Sequence, residues 1–335
     1  MAMSLKKSIP LVVMVMAVPA IPAVIFTLVG WGEASNIWML GTVTGALAIL
    51  SSTFRLSVYT VILLAIASVL AVLNQGNPWG SMLIMGACAA ISGIASIRGL
   101  VSAVNFFAIS AAFFVAQPPV VSTSLSTVQD ALVVGFIALC SGFWGLAISG
   151  KVFHKIHFPP AAPLEARHAR LMAIILALLV GGAAWVVADR NLGHGGAWLM
   201  MTILIVVQPG ISSTFKRSVQ RAIGTVAGFG IAIVLSAFVS TPIVEILVGL
   251  VLLGMALLVK MDSRREYWQY VVFLTPGVVL VVASSGDEGS LLHLAISRLG
   301  FTIIGSLIGL ITVALLLPFY RNPSIKPDSP AVKAA

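Results

Sequence analysis

Twelve apolar segments follow one another along this chain, and no other feature constrains its fold so strongly. They run approximately over residues 9–30, 36–50, 57–73, 79–97, 100–116 and 127–150, then, after a polar break, over 170–189, 197–209, 219–240, 242–260, 266–284 and 291–318. A helix needs about 20 mainly apolar residues to cross a bilayer. Twelve crossings would take about 240 residues, most of the 335 present. The composition agrees: 59% of residues are hydrophobic, 9% are charged, and mean hydropathy is +1.10. Soluble domains carry about a quarter charged residues. Too few polar groups remain to coat a water-soluble surface of this size. That excludes a soluble enzyme, a nucleic-acid binder and a disordered chain, and leaves no room for a folded domain outside the membrane. The expected fold is all-α, a polytopic membrane bundle of about twelve transmembrane segments. Segments 36–50 and 197–209 are short and read as tilted, broken or re-entrant.

The net charge of +9 would suit an acidic partner, but its distribution points to the membrane. Placing the N-terminus in the cytoplasm and threading twelve spans puts Lys6, Lys7, Arg55, Arg98, Lys151, Lys155, Arg167, Arg170, Lys216, Arg217, Arg221, Lys260, Arg264, Arg265, Arg321, Lys326 and Lys333 inside. Only Arg190 and Arg298 of the 19 basic residues fall on the outer half. Cytoplasmic loops concentrate Lys and Arg, so both termini are expected in the cytoplasm. Glu33, Asp130, Asp189, Glu245, Asp287 and Glu288 fall outside. The first segment is too long for a signal-peptide apolar region and reads as an uncleaved span. The Pro-rich, basic stretch 151–169 reads as a cytoplasmic linker. It divides a membrane half over 1–150 from another over 170–320, with a cytoplasmic tail over 321–335. His154 and His157 have an HxxH spacing but no carboxylate or thiol beside them, so no metal site is expected. Cys88 and Cys140 lie in apolar runs and read as small core residues.

The halves carry a repeat. Ser51-Ser52-Thr53-Phe54-Arg55-Leu56-Ser57-Val58 returns as Ser212-Ser213-Thr214-Phe215-Lys216-Arg217-Ser218-Val219. Trp38 and Thr42 upstream of the first copy match Trp198 and Thr202 upstream of the second. Six spans per half would make the copies enter the membrane in the same sense. The working site is then expected where two parallel six-helix repeats meet.

Several residues could work there. Trp38 and Thr42, like Trp198 and Thr202, share a helix face at i and i+4. The second span of the second half is expected to end in a polar turn, Gly210-Ile211-Ser212-Ser213-Thr214, after a break at Gln208-Pro209-Gly210. Thr275-Pro276-Gly277 marks a second break or a packing kink. Helix ends bared inside a membrane favour an anionic ligand. Arg298 sits within the last span, where a cation is costly unless paired or hydrated. It could bind a carboxylate, pair with Glu245 or Asp189, or reach the outer interface. The first half has Phe136 near the matching place. Glu245 is the acid best placed for proton coupling, with an interfacial position a few residues past Pro242 as the alternative. Gly41 with Gly45, Gly224 with Gly228 and Gly305 with Gly309 form small-residue faces for close helix contact.

The pattern Trp198…Thr202…Pro209…Ser213-Thr214…Arg217…Arg221-Ala-Ile-Gly224-Thr225-Val-Ala-Gly228 resembles the FUSC superfamily, the fusaric-acid-resistance and aromatic-acid exporter proteins of bacteria. Arg298-x-x-x-Thr302-Ile-Ile-Gly305 before Pro318 resembles that family's last span. The resemblance covers roughly 190–318; no Arg-x-x-Gly-Thr follows Arg55 in the first half. It implies an inner-membrane efflux transporter for organic anions, above all aromatic carboxylic acids, driven by the proton gradient. It also implies a HlyD-type periplasmic adaptor as partner and no cofactor. The chain is similar to the compact members without large cytoplasmic domains. Arg298, Arg221, Trp198, Thr202, Trp38, Thr42 and Thr275 would bind substrate. A passive organic-anion channel resembling the plant aluminium-activated malate channels is the alternative, and a homo-oligomer is compatible with either. A membrane-embedded enzyme would need a catalytic cluster that the spans lack.

Overall fold

The computed structural model describes residues 31–152, 162–207, 211–236, 242–261, 264–283 and 291–320, with Phe238 and short helical stretches between 17 and 26. Among these residues there is no strand, and eleven helices follow in order. They are α1 (Gly32–Ser51), α2 (Phe54–Leu73), α3 (Pro78–Ala95), α4 (Val101–Ala116), α5 (Thr127–Val152), α6 (Ala166–Asp189), α7 (Gly193–Val206), α8 (Ile211–Ser236), α9 (Pro242–Met261), α10 (Tyr267–Ala283) and α11 (Leu291–Tyr320). They fall on the second to twelfth apolar segments, while most of the first lies outside the described residues.

Seven helices (α1, α2, α3, α5, α6, α8 and α11) are long and apolar enough to cross a membrane; α4, α7, α9 and α10 hold shorter apolar stretches. The chain is therefore an all-helical membrane protein. Its outer surface carries the side chains expected against hydrocarbon: Leu83, Leu178, Phe136 and Leu315 are each more than 60% exposed. The ends are set by local chemistry. Asn77 caps α3 by accepting hydrogen bonds from the Trp79 and Gly80 amides at 3.1 and 3.3 Å, with Pro78 at the first helical position. Gly99, at φ 68°, takes the left-handed turn that releases the chain into α4. Asp130, buried in the first turn of α5, accepts from the Val121 and Ser122 amides at 3.0 and 3.3 Å and secures the loop before it.

Lipid tails are as apolar as leucine, so helices in a bilayer associate through close packing of small residues. On α1, side chains at Gly41 and Gly45 would strike Ser141 and the Gly142 backbone of α5; one at Gly145 would strike the Thr42 backbone. Within the first half, α1 packs on α5, α2 on α5 and α4, and α3 on α4. The same neighbours recur in the second: α7 on α11, α8 on α11 and α10, and α9 on α10. The halves join through α3 against α6, the most extensive contact in the bundle, and α4 against α7. The repeated motif keeps the same bond in both copies: Ser57 Oγ donates to the Thr53 carbonyl and Ser218 Oγ to the Thr214 carbonyl, each at 2.9 Å.

Four expectations change. The short segment at 36–50 becomes a 20-residue helix, whereas α7 stays at 14 residues. At about 1.5 Å per residue α7 rises only about 21 Å, short of a core of about 30 Å. The polar turn expected through Ser212-Ser213-Thr214 is helical, because α8 already begins at Ile211. Thr275-Pro276-Gly277 does not break α10, which continues through Pro276. The carbonyl that Pro276 leaves without its helical donor is that of Val272, and α8 meets it with Gly228, where an added Cβ would lie 2.8 Å from the Val272 oxygen. Finally, Phe136 does not match Arg298, since it is 66% exposed on the outer face. Thr202 lies against Gly305 as Thr42 lies against Gly145; that offset of 160 puts buried Ala138 at the equivalent position. Gln208-Pro209-Gly210, His154, His157 and the tail from 321 lie outside the described residues.

Candidate functional site

The two largest fully buried side chains are cations: Arg221 on α8 and Arg298 on α11, each 1% exposed. Arg298 is placed by aromatic packing. Its guanidinium carbon sits 4.1 Å from the Trp198 ring centroid, and Phe113 of α4 meets that indole edge-on at 5.1 Å. Arg221 Nη1 donates to Tyr267 Oη at 3.2 Å, and Arg217, one turn earlier on α8, stacks 4.4 Å over the same phenol ring. The two buried arginines lie within electrostatic reach of each other and of Tyr270.

Among the described residues, neither arginine forms an ion pair. The partners considered from the sequence lie elsewhere: Asp189 pairs with Arg190 at 3.4 Å, and Glu245 occupies the first turn of α9, which packs chiefly on α10. Nε and Nη1 of Arg298 and Nε of Arg221 have no hydrogen-bond partner among these residues. Burying one charge costs several kcal/mol after relaxation, and this seam buries two.

Neutral hydroxyls share the buried stripes that carry the pair. Thr214, Ser218, Arg221 and Thr225 recur at helical spacing along one buried stripe of α8; Arg298, Thr302 and Ser306 do so on α11. The helices meet where Gly309 would place a Cβ 2.8 Å from Ser218 Oγ. Thr202 of α7 lies against Gly305 of α11, and Thr275 of α10 against Gly228 of α8. The hydroxyls of Thr202, Thr225, Thr275, Thr302 and Ser306 are buried without a partner among the described residues. Beyond Thr225 on α8 and before Arg298 on α11, an apolar cluster of Phe229, Ala232, Val279 and Ala295 closes one end of the seam. At the α10 entrance Glu266 accepts from Gln220 and pairs with Lys216 at 3.3 Å, joining α8 to the segment before α10. The Gln220 hydrogen bond, then Lys216, hold this exposed carboxyl below its ordinary range.

Five of the expected residues (Arg221, Arg298, Trp198, Thr202 and Thr275) therefore come together in the second half. Trp198 is 6% exposed, with one face under Arg298. Its ring serves here as a platform for the arginine, not as an open surface for a substrate ring. Trp38 and Thr42 are separate, in the first half. Trp38 packs 5.3 Å from Phe26 and 6.3 Å from Trp144, and buried Thr42 faces α5. The sequence reading missed Tyr267, Tyr270 and Ser306 and quoted Thr225 and Thr302 only as parts of motifs; hydroxyls at helical spacing in step with each arginine were the available signal. Among the described residues no group of His, Cys, Asp and Glu could hold a metal ion.

Residues 172–312, which hold this whole cluster, match the family model described as "Fusaric acid resistance protein-like". The resemblance to that family is thereby established. Over 166 residues the chain is 30% identical to the inner membrane protein YccS of Escherichia coli (strain K12), covering 49% of this chain and 21% of that protein. It is 31% identical over 175 residues to an uncharacterized protein of Haemophilus influenzae, covering 52% of this chain and 22% of that one. A third relative, the uncharacterized protein ORF2 of Neisseria gonorrhoeae, is 31% identical over 150 residues, 44% of this chain and 34% of its own length. The chain thus spans between a fifth and a third of the length of these relatives. No solved structure matches it.

Proposed function

We propose that this protein moves organic anions across the bacterial inner membrane, with aromatic carboxylates as the substrate class. The observation that carries this reading is the pair of buried arginines, Arg298 and Arg221, which among the described residues have no acidic partner and share their helices with unpartnered hydroxyls. A guanidinium donates and never accepts, so such a pair is completed by an anion. Trp198 fixes Arg298, and Thr202, Thr225, Thr275, Thr302 and Ser306 supply hydrogen bonds to the anion's oxygens. The aromatic class is taken from the family description, since fusaric acid is a ring carboxylic acid. The apolar cluster of Phe229, Ala232, Val279 and Ala295 would have to part for passage through the seam. On the charge asymmetry, the ends bearing Lys151, Lys216 and Lys260 face the cytoplasm, the two halves point the same way, and transport is outward. The recurrence of helix neighbours between the halves supports that arrangement. Glu245 is the proposed proton carrier and a HlyD-type adaptor the proposed periplasmic partner.

The test is flux of radiolabelled benzoate in proteoliposomes. Wild type is expected to carry it and Arg298→Ala to lose it while remaining monodisperse; undiminished flux in Arg298→Ala would remove the arginine from the pathway. Flux that follows an imposed pH gradient and falls in Glu245→Gln marks a proton-coupled pump. Flux that follows voltage alone marks the channel alternative.

A further inference from the structure

The charge count of the seam defines its ligand more narrowly than "organic anion". We infer that the site is built for a doubly charged anion, one negative group answering Arg298 and the other Arg221. This inference rests on the anion-transport reading and sharpens its substrate class.

The two cations are held by different neighbours, and among the described residues neither is neutralised by an acid. Arg298 is clamped flat against Trp198, which takes up a face of the guanidinium and leaves Nε and Nη1 without acceptors. Arg221 is tethered at one end only, through Nη1 to Tyr267, and its Nε is likewise unanswered. The group that answers Arg221 is a tyrosine hydroxyl, which brings no carboxylate to the pair. Arg217 stacks on Tyr267, so the other side chain seated on that ring is a further cation and not an acid. A monoanion bound to either arginine would leave the other buried and uncompensated. A dianion answers both, and the surrounding hydroxyls can donate to its remaining oxygens. The repeat gives an internal control. With Thr60 and Ala138 at the equivalent positions, the first half keeps the helix crossings but has no buried cation at either place. Its Thr60 hydroxyl returns to the Leu56 carbonyl at 2.9 Å. The pair of charges is thus not needed to pack this kind of crossing.

The decisive experiment varies the ligand's charge at constant shape. The full chain in nanodiscs is titrated calorimetrically at pH 7.5 and fixed salt with benzoate, the three benzenedicarboxylates and the monoamide of each. The best-fitting dicarboxylate is expected to bind at least about tenfold tighter than its own monoamide. Arg221→Gln should erase that margin by weakening the dicarboxylate more than its monoamide, and Arg221→Lys should keep part of it. Equal affinity for every dicarboxylate and its monoamide, with benzoate still bound, overturns the dianion inference and leaves the anion reading standing. No binding of any of them overturns both. The ligand series alone decides the matter should an Arg221 variant fail to fold.

Discussion

The two halves share a crossing and differ in what they place at it. In the first, α1 meets α5 through Gly41, Gly45, Gly142 and Gly145, and the backbones touch. In the second, α7 meets α11 with Gly305 and Gly309 opposite the Thr202 and Val206 side chains and Gly195 opposite Phe301 and Ser297, so each glycine there faces a side chain. Ala138 in one becomes Arg298 in the other, and Thr60 becomes Arg221. One copy is packed shut; the other accepts two buried charges and the cost of desolvating them. On the proposed reading this difference within one repeat is a division of labour, the first half serving as support and the second as site.

The sharpest way to break this comparison is at the arginine itself. Arg298→Ala should weaken binding of an aromatic carboxylate by about 2–5 kcal/mol, the range for removing one partner of a buried hydrogen-bonded charge pair; calorimetry on nanodiscs measures it. Next is the packing side. Gly145→Ala, whose new methyl meets Thr42 backbone, should destabilise the protein by about 1–3 kcal/mol. Gly305→Ala, which meets the Thr202 side chain, should cost less, and Gly230→Ala, with nothing within 4 Å, should cost nothing through packing. Thermal melts in matched detergent rank the three. The tryptophans then separate the roles. Trp198→Leu should reduce affinity by about 0.5–2 kcal/mol, the worth of a partly desolvated cation–π contact, whereas Trp38→Leu should change stability and leave affinity alone.

The smallest effect lies at Glu266. Its carboxyl is held below the ordinary value of 4.5 by Gln220 and Lys216. A lowered folded-state pKa stabilises the fold in full above the unfolded value and loses that contribution as pH falls through the folded one. The melting temperature of wild type should therefore decline below pH 4.5 by slightly more than that of Glu266→Gln, a small difference because the pair is exposed.

Much of this was legible in the residues. Hydropathy gave eleven helices their places, and Ser51–Val58 against Ser212–Val219 announced the repeat. Arg298 stood out because a cation in an apolar run needs an explanation. What stayed hidden depended on three-dimensional offsets. The segment at 219–240 could not reveal that its helix begins at Ile211, since Ser and Thr serve both as turn residues and in first helical turns. Pro276 looked like a break because the sequence cannot show Gly228 lying beside the freed carbonyl. Phe136 looked equivalent to Arg298 because helical phase shifts by two residues unless a packing contact, here Thr42 on Gly145, fixes it. Trp198 looked like a substrate platform because its partner lies 100 residues away in sequence.

One titration tests the central claim that the second half's buried arginines hold an anion. Benzenedicarboxylate is added to wild type, Arg298→Ala and Trp38→Leu in nanodiscs, and heat is followed to saturation. Binding should be equal in wild type and Trp38→Leu and weaker by about 2–5 kcal/mol in folded Arg298→Ala. Saturable binding of wild-type strength in Arg298→Ala would contradict the claim.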